Sequence, residues 1–187
     1  MDLSSNFRML ALYNQRMNQQ LLTVCEPLSM EQLHQQTQSF FPSVMAHWNH
    51  ILFADLIMLQ RLVDNDLVSV DPAVLKTLPK SKSVNDQFVS NMDELKSLRV
   101  LIDLIYLQIM ADLTDLDCSK IVRYTTTEGR LIERKTGEFY QHIFNHQTHH
   151  RGQLTCVLSQ LGLDFGCTDL PVIVPEGSHV LFTGETV

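Results

Sequence analysis

His146 and His150 stand where an amphipathic helix would normally carry core leucines. The stripe they interrupt reads Phe139, Ile143, His146, His150, Leu154, Val157, Leu161 at helical spacing. An imidazole on a buried face must hydrogen-bond or bind a ligand, because an unpaired polar group there costs about 1–3 kcal/mol. Set four residues apart, the two rings lie one above the other and can close on a single ion. A catalytic zinc-type site takes three protein ligands and keeps one position open, so the pair needs a donor from another segment. Two histidines of the apolar stretch 43–63 compete for that place. His47 continues the stripe Val44, Ile51, Ala54, Met58, while His50 shares a face with Ala46, Phe53, Ala54 and Ile57. The stretch is apolar nearly all round, so periodicity leaves both open. His142, one turn before His146, reads as a hydrogen-bonding support for a ligand ring or as a fourth ligand. His149 falls on the other side of the turn, and His34 and His179 fall in turn-rich segments; none of these is assigned to the site.

Three neutral imidazoles leave the charge of a divalent cation uncompensated. That is enough to bring a bound water to a pKa of about 7, to polarise an oxygen or to stabilise a thiolate. The zinc-peptidase signature HExxH is missing, because Gln147 takes the place of its glutamate base and Glu138 lies two turns earlier. Asp55, and Arg99 with Asp103 four apart, are acidic and basic groups that could assist such chemistry; the plain alternatives are that Asp55 orients a ligand histidine and that Arg99 with Asp103 forms a salt-bridged flank, and none is assigned as catalytic. Cys156 falls about 240° round the helix axis from His150 and is expected to be a packing residue.

Long helices must bring these residues together. Phe7, Leu10, Ala11, Met17 and Leu21 predict a first helix over 4–24, capped by Ser4 or Ser5 and ending near Glu26-Pro27. Ser29 to Leu33 reads as a short capped turn, and a long helix is predicted over 43–63. The segment 64–84, with Pro72 and Pro79, is expected to be a loop with one short helical turn. Phe88, Met92, Leu95, Leu98, Ile102, Ile105, Ile109 and Leu113 predict a third long helix over 85–113. β-Prone runs at 121–127 and 131–135 flank Glu128-Gly129-Arg130 as a hairpin requires. The fourth long helix is predicted over 136–161, closed by Gly162. The tail 163–187, with Pro171, Pro175, Gly177 and Gly184, is expected to be irregular. The predicted fold is all-α: a four-helix bundle with one short β-hairpin between helices three and four, in a single domain over 1–187. The core of such a bundle is a usual place for a metal held by facing helices.

Composition removes several function classes. The net charge is −7 with scattered Lys and Arg, so the basic footprint of a nucleic-acid surface is missing and no direct nucleic-acid partner is expected. No run reaches membrane-spanning length, and the N-terminus lacks the apolar region of a secretory signal. Cys25, Cys118, Cys156 and Cys167 are widely spaced, which suits reduced thiols, and the cytoplasm is the expected location.

Asn49-His50-Ile51-Leu52-Phe53-Ala54-Asp55 with Leu59, Tyr13-Asn14 and Asn18, and His146-Gln147-Thr148-His149-His150-Arg151-Gly152-Gln153 together resemble the DinB-like family. The likeness spans nearly the whole chain, including Asp169-Leu170-Pro171. It implies the family's four-helix bundle, often a homodimer, with a divalent metal on the residues corresponding here to His50, His146 and His150. His47-Trp48 departs from the commonest family sequences and keeps His47 as a second candidate. Relatives in the wider superfamily include transferases and isomerases that use a low-molecular-weight thiol such as bacillithiol or mycothiol. The expectation is therefore a metal-dependent enzyme activating water or such a thiol for an unknown small-molecule substrate. The alternative is a non-catalytic metal- or small-ligand-binding protein of the stress response. Imidazole suits several ions; zinc or nickel is expected first, then iron or manganese.

Overall fold

Each of the first three long helices starts at a side-chain cap. In the computed structural model, which describes residues 2–177, α1 spans Leu3–Cys25. Its cap is Asp2, whose carboxylate accepts the Ser5 N–H at 2.7 Å, rather than Ser4 or Ser5. Asp2 wins because Ser4 is already inside the helix and buried. The predicted capped turn is α2, Met30–His34, with a complete capping box between Ser29 and Gln32. The apolar helix α3 spans Val44–Asp64 behind a Ser43 cap. Within the expected loop lies one short helix, α4, Pro72–Thr77.

The third long helix, α5, spans Met92–Asp112 and is capped by Asn91, so it begins seven residues later than the periodicity predicts. The reason lies on α3. The Asn49 side-chain oxygen accepts the Phe88 and Val89 N–H groups at 2.7 and 3.1 Å, and its amide donates to the Val89 carbonyl at 2.9 Å. These bonds hold 88–89 as non-helical backbone, and Phe88 packs from outside the helix.

Strands β1, Ile121–Thr125, and β2, Leu131–Lys135, pair antiparallel with Ile121 opposite Lys135 and Thr125 opposite Leu131. Gly129 in the connecting loop takes φ +83°, which glycine adopts at no steric cost. The final long helix α6, Thr136–Gln160, runs directly out of β2 and ends at Gly162, whose φ is +78°. The tail forms one short helix, α7, Leu170–Ile173, and a 3-10 turn at Pro175–Gly177. His179 and Gly184 lie outside the described residues.

Helices α1 and α3 each pack against both α5 and α6, so the bundle closes in the order α1, α5, α3, α6. Trp48, Ile51 and Leu52 from α3, Leu95 and Ile102 from α5, Phe7 and Leu21 from α1, and Leu154 and Leu158 from α6 are nearly inaccessible. The expected all-α bundle with its single hairpin is the observed architecture. No described helix is long and apolar enough to cross a membrane.

Candidate metal centre

The seam between α3 and α6 brings three histidines together. One ring nitrogen each from His50, His146 and His150 lies within 4.8 Å of the others. His50 Nε2 stands 3.2 Å from His150 Nε2. Two imidazole nitrogens bound at about 2.0–2.1 Å to one ion, at 90–109°, sit about 2.8–3.4 Å apart, so the pair is spaced for shared coordination. His150 Nδ1 lies 2.8 Å from the Gln153 side-chain carbonyl, an acceptor only. That bond puts the proton on Nδ1 and leaves the Nε2 lone pair facing His50. Among the described residues the buried Nδ1 atoms of His50 and His146 have no hydrogen-bond partner.

All three rings are half-buried, and burial holds them neutral. His50 is pushed down to about 4, first by burial and then by the neighbouring histidines His150, His47 and His149. His146 falls to about 3 for the same reasons, with His150 and His50 its nearest opponents. His150 is lowered by burial, and the Gln153 bond works against that shift. Neutral rings with free lone pairs are the form a cation takes. Phe41 covers this corner: its ring stacks on His50 with centroids 4.1 Å apart and meets His150 edge-on at 5.5 Å. The donor set, its spacing and its protonation therefore fit a divalent ion.

The other candidates go elsewhere. His47 is fully buried with Nδ1 on the Ser43 carbonyl at 2.9 Å, and it is outside the three-nitrogen cluster. His142 is also outside it, with its ring centroid 6.1 Å from that of His146. His149 is exposed, and His34 is exposed with Nε2 on the Ser90 carbonyl.

Three expectations are corrected. Asp55 holds no histidine: its carboxylate takes Arg99 and Gln147. Arg99 and Asp103 are not a flank, since they are 0 % and 3 % exposed and lie 3.0 Å apart inside the bundle. Cys156 is exposed rather than packed. The interior polar cluster continues through Asn18, which donates to Asp103 at 2.9 Å, to Arg151, which donates to Asn14, Asn18 and Gln147. Two roles escaped the sequence reading. Gln153, at i+3 from His150, is legible as a helical neighbour, whereas Phe41 carries no local signal because a loop folds it over the site.

The fold and the histidine cluster define a class of helical bundle with a metal-type centre on the α3–α6 seam. The DinB family model matches residues 3–174, and the chain belongs to that family. Protein DinB of Bacillus subtilis (strain 168) is 25 % identical over 157 residues, covering 84 % of this chain and 87 % of that protein. The crystal structure of a DinB-like protein from Bacillus cereus ATCC 10987 matches with a TM-score of 0.57 at 21 % identity. That match covers 83 % of this chain and 90 % of the other, and it supports the fold.

Proposed function

We propose that the chain is a metal-dependent enzyme in which His50, His146 and His150 hold a divalent ion, zinc or nickel before iron or manganese. The observation that carries this reading is three neutral imidazole donors within 4.8 Å of one another. An ion held there supplies Lewis acidity that activates water or a low-molecular-weight thiol for reaction with a small molecule. The protein's own groups do the rest. Gln153 fixes the His150 tautomer, and Phe41 shields one side of the rings from water. Among the described residues the cluster has three members, which leaves room for an exogenous ligand. The same reading takes the protein as a cytoplasmic homodimer without a direct nucleic-acid partner.

The test is metal analysis of untagged protein beside a variant carrying His146→Ala and His150→Ala. Close to one ion per chain is expected in the parent and none in the variant; equal content in both ends the proposal. An exchangeable water ligand in the loaded parent separates the enzyme from a closed metal-binding protein, in which a fourth side chain such as His47 or His142 would complete the shell.

A further inference from the structure

The seam that carries the histidines continues towards the hairpin. One helical turn beyond His146, His142 lines a cavity of about 430 Å³ together with Tyr124, Ile132, Phe139, Arg130 and Arg134. That volume is in the range of small-molecule sites. Its apolar side is built on Phe139, which is buried and meets the Tyr124 ring edge-on at 5.4 Å. The polar side is rich in guanidinium groups. One carboxylate, Glu138, also lines it, but its distance to Arg134 is a loose 3.5 Å and both are exposed. Arg130 pairs with Glu128 at the hairpin tip.

A third cation lies against Tyr124. The Arg61 guanidinium sits 4.2 Å from the centroid of that ring and is half-buried. Its Nη2 donates to the Thr125 carbonyl at 3.3 Å and its Nη1 contacts the Met58 sulfur at 3.7 Å. Among the described residues no carboxylate lies within ion-pairing distance of Arg61. A half-buried cation without a counter-ion, beside a cavity with two more arginines on its wall, favours a negative ligand.

We propose that this cavity binds a small organic anion. Its apolar body lies on Phe139, Tyr124 and Ile132, and its carboxylate or phosphate meets Arg130 and Arg134 in the field of Arg61. Its other end extends past His142 towards the histidine centre. This deepens the functional reading above and rests on it for the far end alone, because the anion contacts need no metal.

Calorimetric titration of metal-free protein with 3-phenylpropanoate and with 3-phenylpropanol tests the anion site. The carboxylate is expected to bind about tenfold more tightly than the alcohol, as for one charge-assisted hydrogen bond. Arg134→Gln and Arg61→Gln should each remove about five- to tenfold of the carboxylate affinity and leave the alcohol unchanged. Arg61→Gln also removes a contact that packs the hairpin, so exposed Arg134→Gln carries the test if the former misfolds. No carboxylate binding at millimolar concentration, equal affinity for the two ligands, or full carboxylate affinity in Arg134→Gln overturns the assignment. A second arm isolates the metal reading: cobalt(II)-loaded protein is titrated with 3-mercaptopropanoate while the thiolate-to-metal absorption band is followed. Failure of the protein to take up cobalt(II) while 3-phenylpropanoate still binds rejects the histidine centre and keeps the anion site; uptake without the band rejects the far-end contact alone.

Discussion

Acidification from pH 7 to pH 5 should weaken metal binding far less than it would for three ordinary imidazoles, and this can be worked from the rings themselves. At pH 5 an imidazole with the ordinary value of 6.5 is free of its proton only about one part in 33, costing about 1.5 decades of apparent affinity per ligand. Three such ligands would cost about 4.5 decades. With His50 at about 4 and His146 at about 3, the two together lose less than about 0.1 decade. His150 is also lowered, so it adds less than the 1.5 decades of an unshifted ring. The expected loss is therefore below about 1.5 decades. Zinc affinity measured at both pH values by competition with a chromophoric chelator, corrected for the chelator's own protonation, reads it directly. A loss of three decades or more would refute the claim that burial keeps these rings neutral. Phe41→Ser supplies a contrast: removing the ring stacked on His50 admits water, raises the His50 value and steepens the dependence.

Asp55→Ala should cost about 3–5 kcal/mol in urea unfolding, because it leaves the fully buried Arg99 with one carboxylate fewer and strands the Gln147 amide. Asn49→Ala should cost about 2–4 kcal/mol and speed amide exchange at Phe88 and Val89, the groups it now satisfies. Metal-free protein should lose stability on acidification. His50 and His146 have folded values depressed below 6.5, so their contribution is present above that pH and is lost as pH falls towards 4. Asp103 opposes them: burial raises it to about 6, so the folded state gains its proton before the unfolded chain does, and acidification favours the fold. His50 and His146 against Asp103 contribute a net slope of about 1.4 kcal/mol per pH unit between pH 4 and 6 before screening trims it, and His47, His142 and His150, also lowered by burial, add to it in the same direction. The double variant His50→Ala and His146→Ala should flatten that slope in urea titrations; an unchanged slope would show that other groups set it.

Helix positions were legible wherever periodicity and a local cap agreed, as in α3 behind Ser43 and α6 up to Gly162. The start of α5 was not, because Phe88 continues the helical spacing while the distant Asn49 takes the backbone that a helix would use. The histidine triplet was half legible. Spacing pairs His146 with His150, but α3 is apolar on both faces, so periodicity leaves His47 and His50 open; the family resemblance points to His50, and packing against α6 brings it into the cluster while His47 is buried against Ser43. The interior ion cluster was misread for a related reason. An i,i+4 Arg–Asp pair looks the same on a solvated face and inside a bundle until the polar partners Asn14, Asn18, Gln147 and Arg151 are seen to converge on it.

That convergence bears on why the histidines meet at all. Gln147 and Arg151 each follow a cluster histidine by one residue, so α6 carries two polar stripes about 100° apart. The outer stripe, His146 and His150, opens onto the seam with α3. The inner one, Gln147 and Arg151, enters the bundle and bonds to Asp55 on α3 and to Asn14 and Asn18 on α1. Apolar ridges alone tolerate neighbouring registers, since leucine meets leucine after any one-turn slip. A slip of one turn moves a side chain about 5.4 Å along the axis, which would break the Gln147 bond to Asp55 and strip the buried Arg151 of Asn14 and Asn18. Buried polar partners thus fix the axial position of α6 against α3, and the same position sets His146 and His150 level with His50.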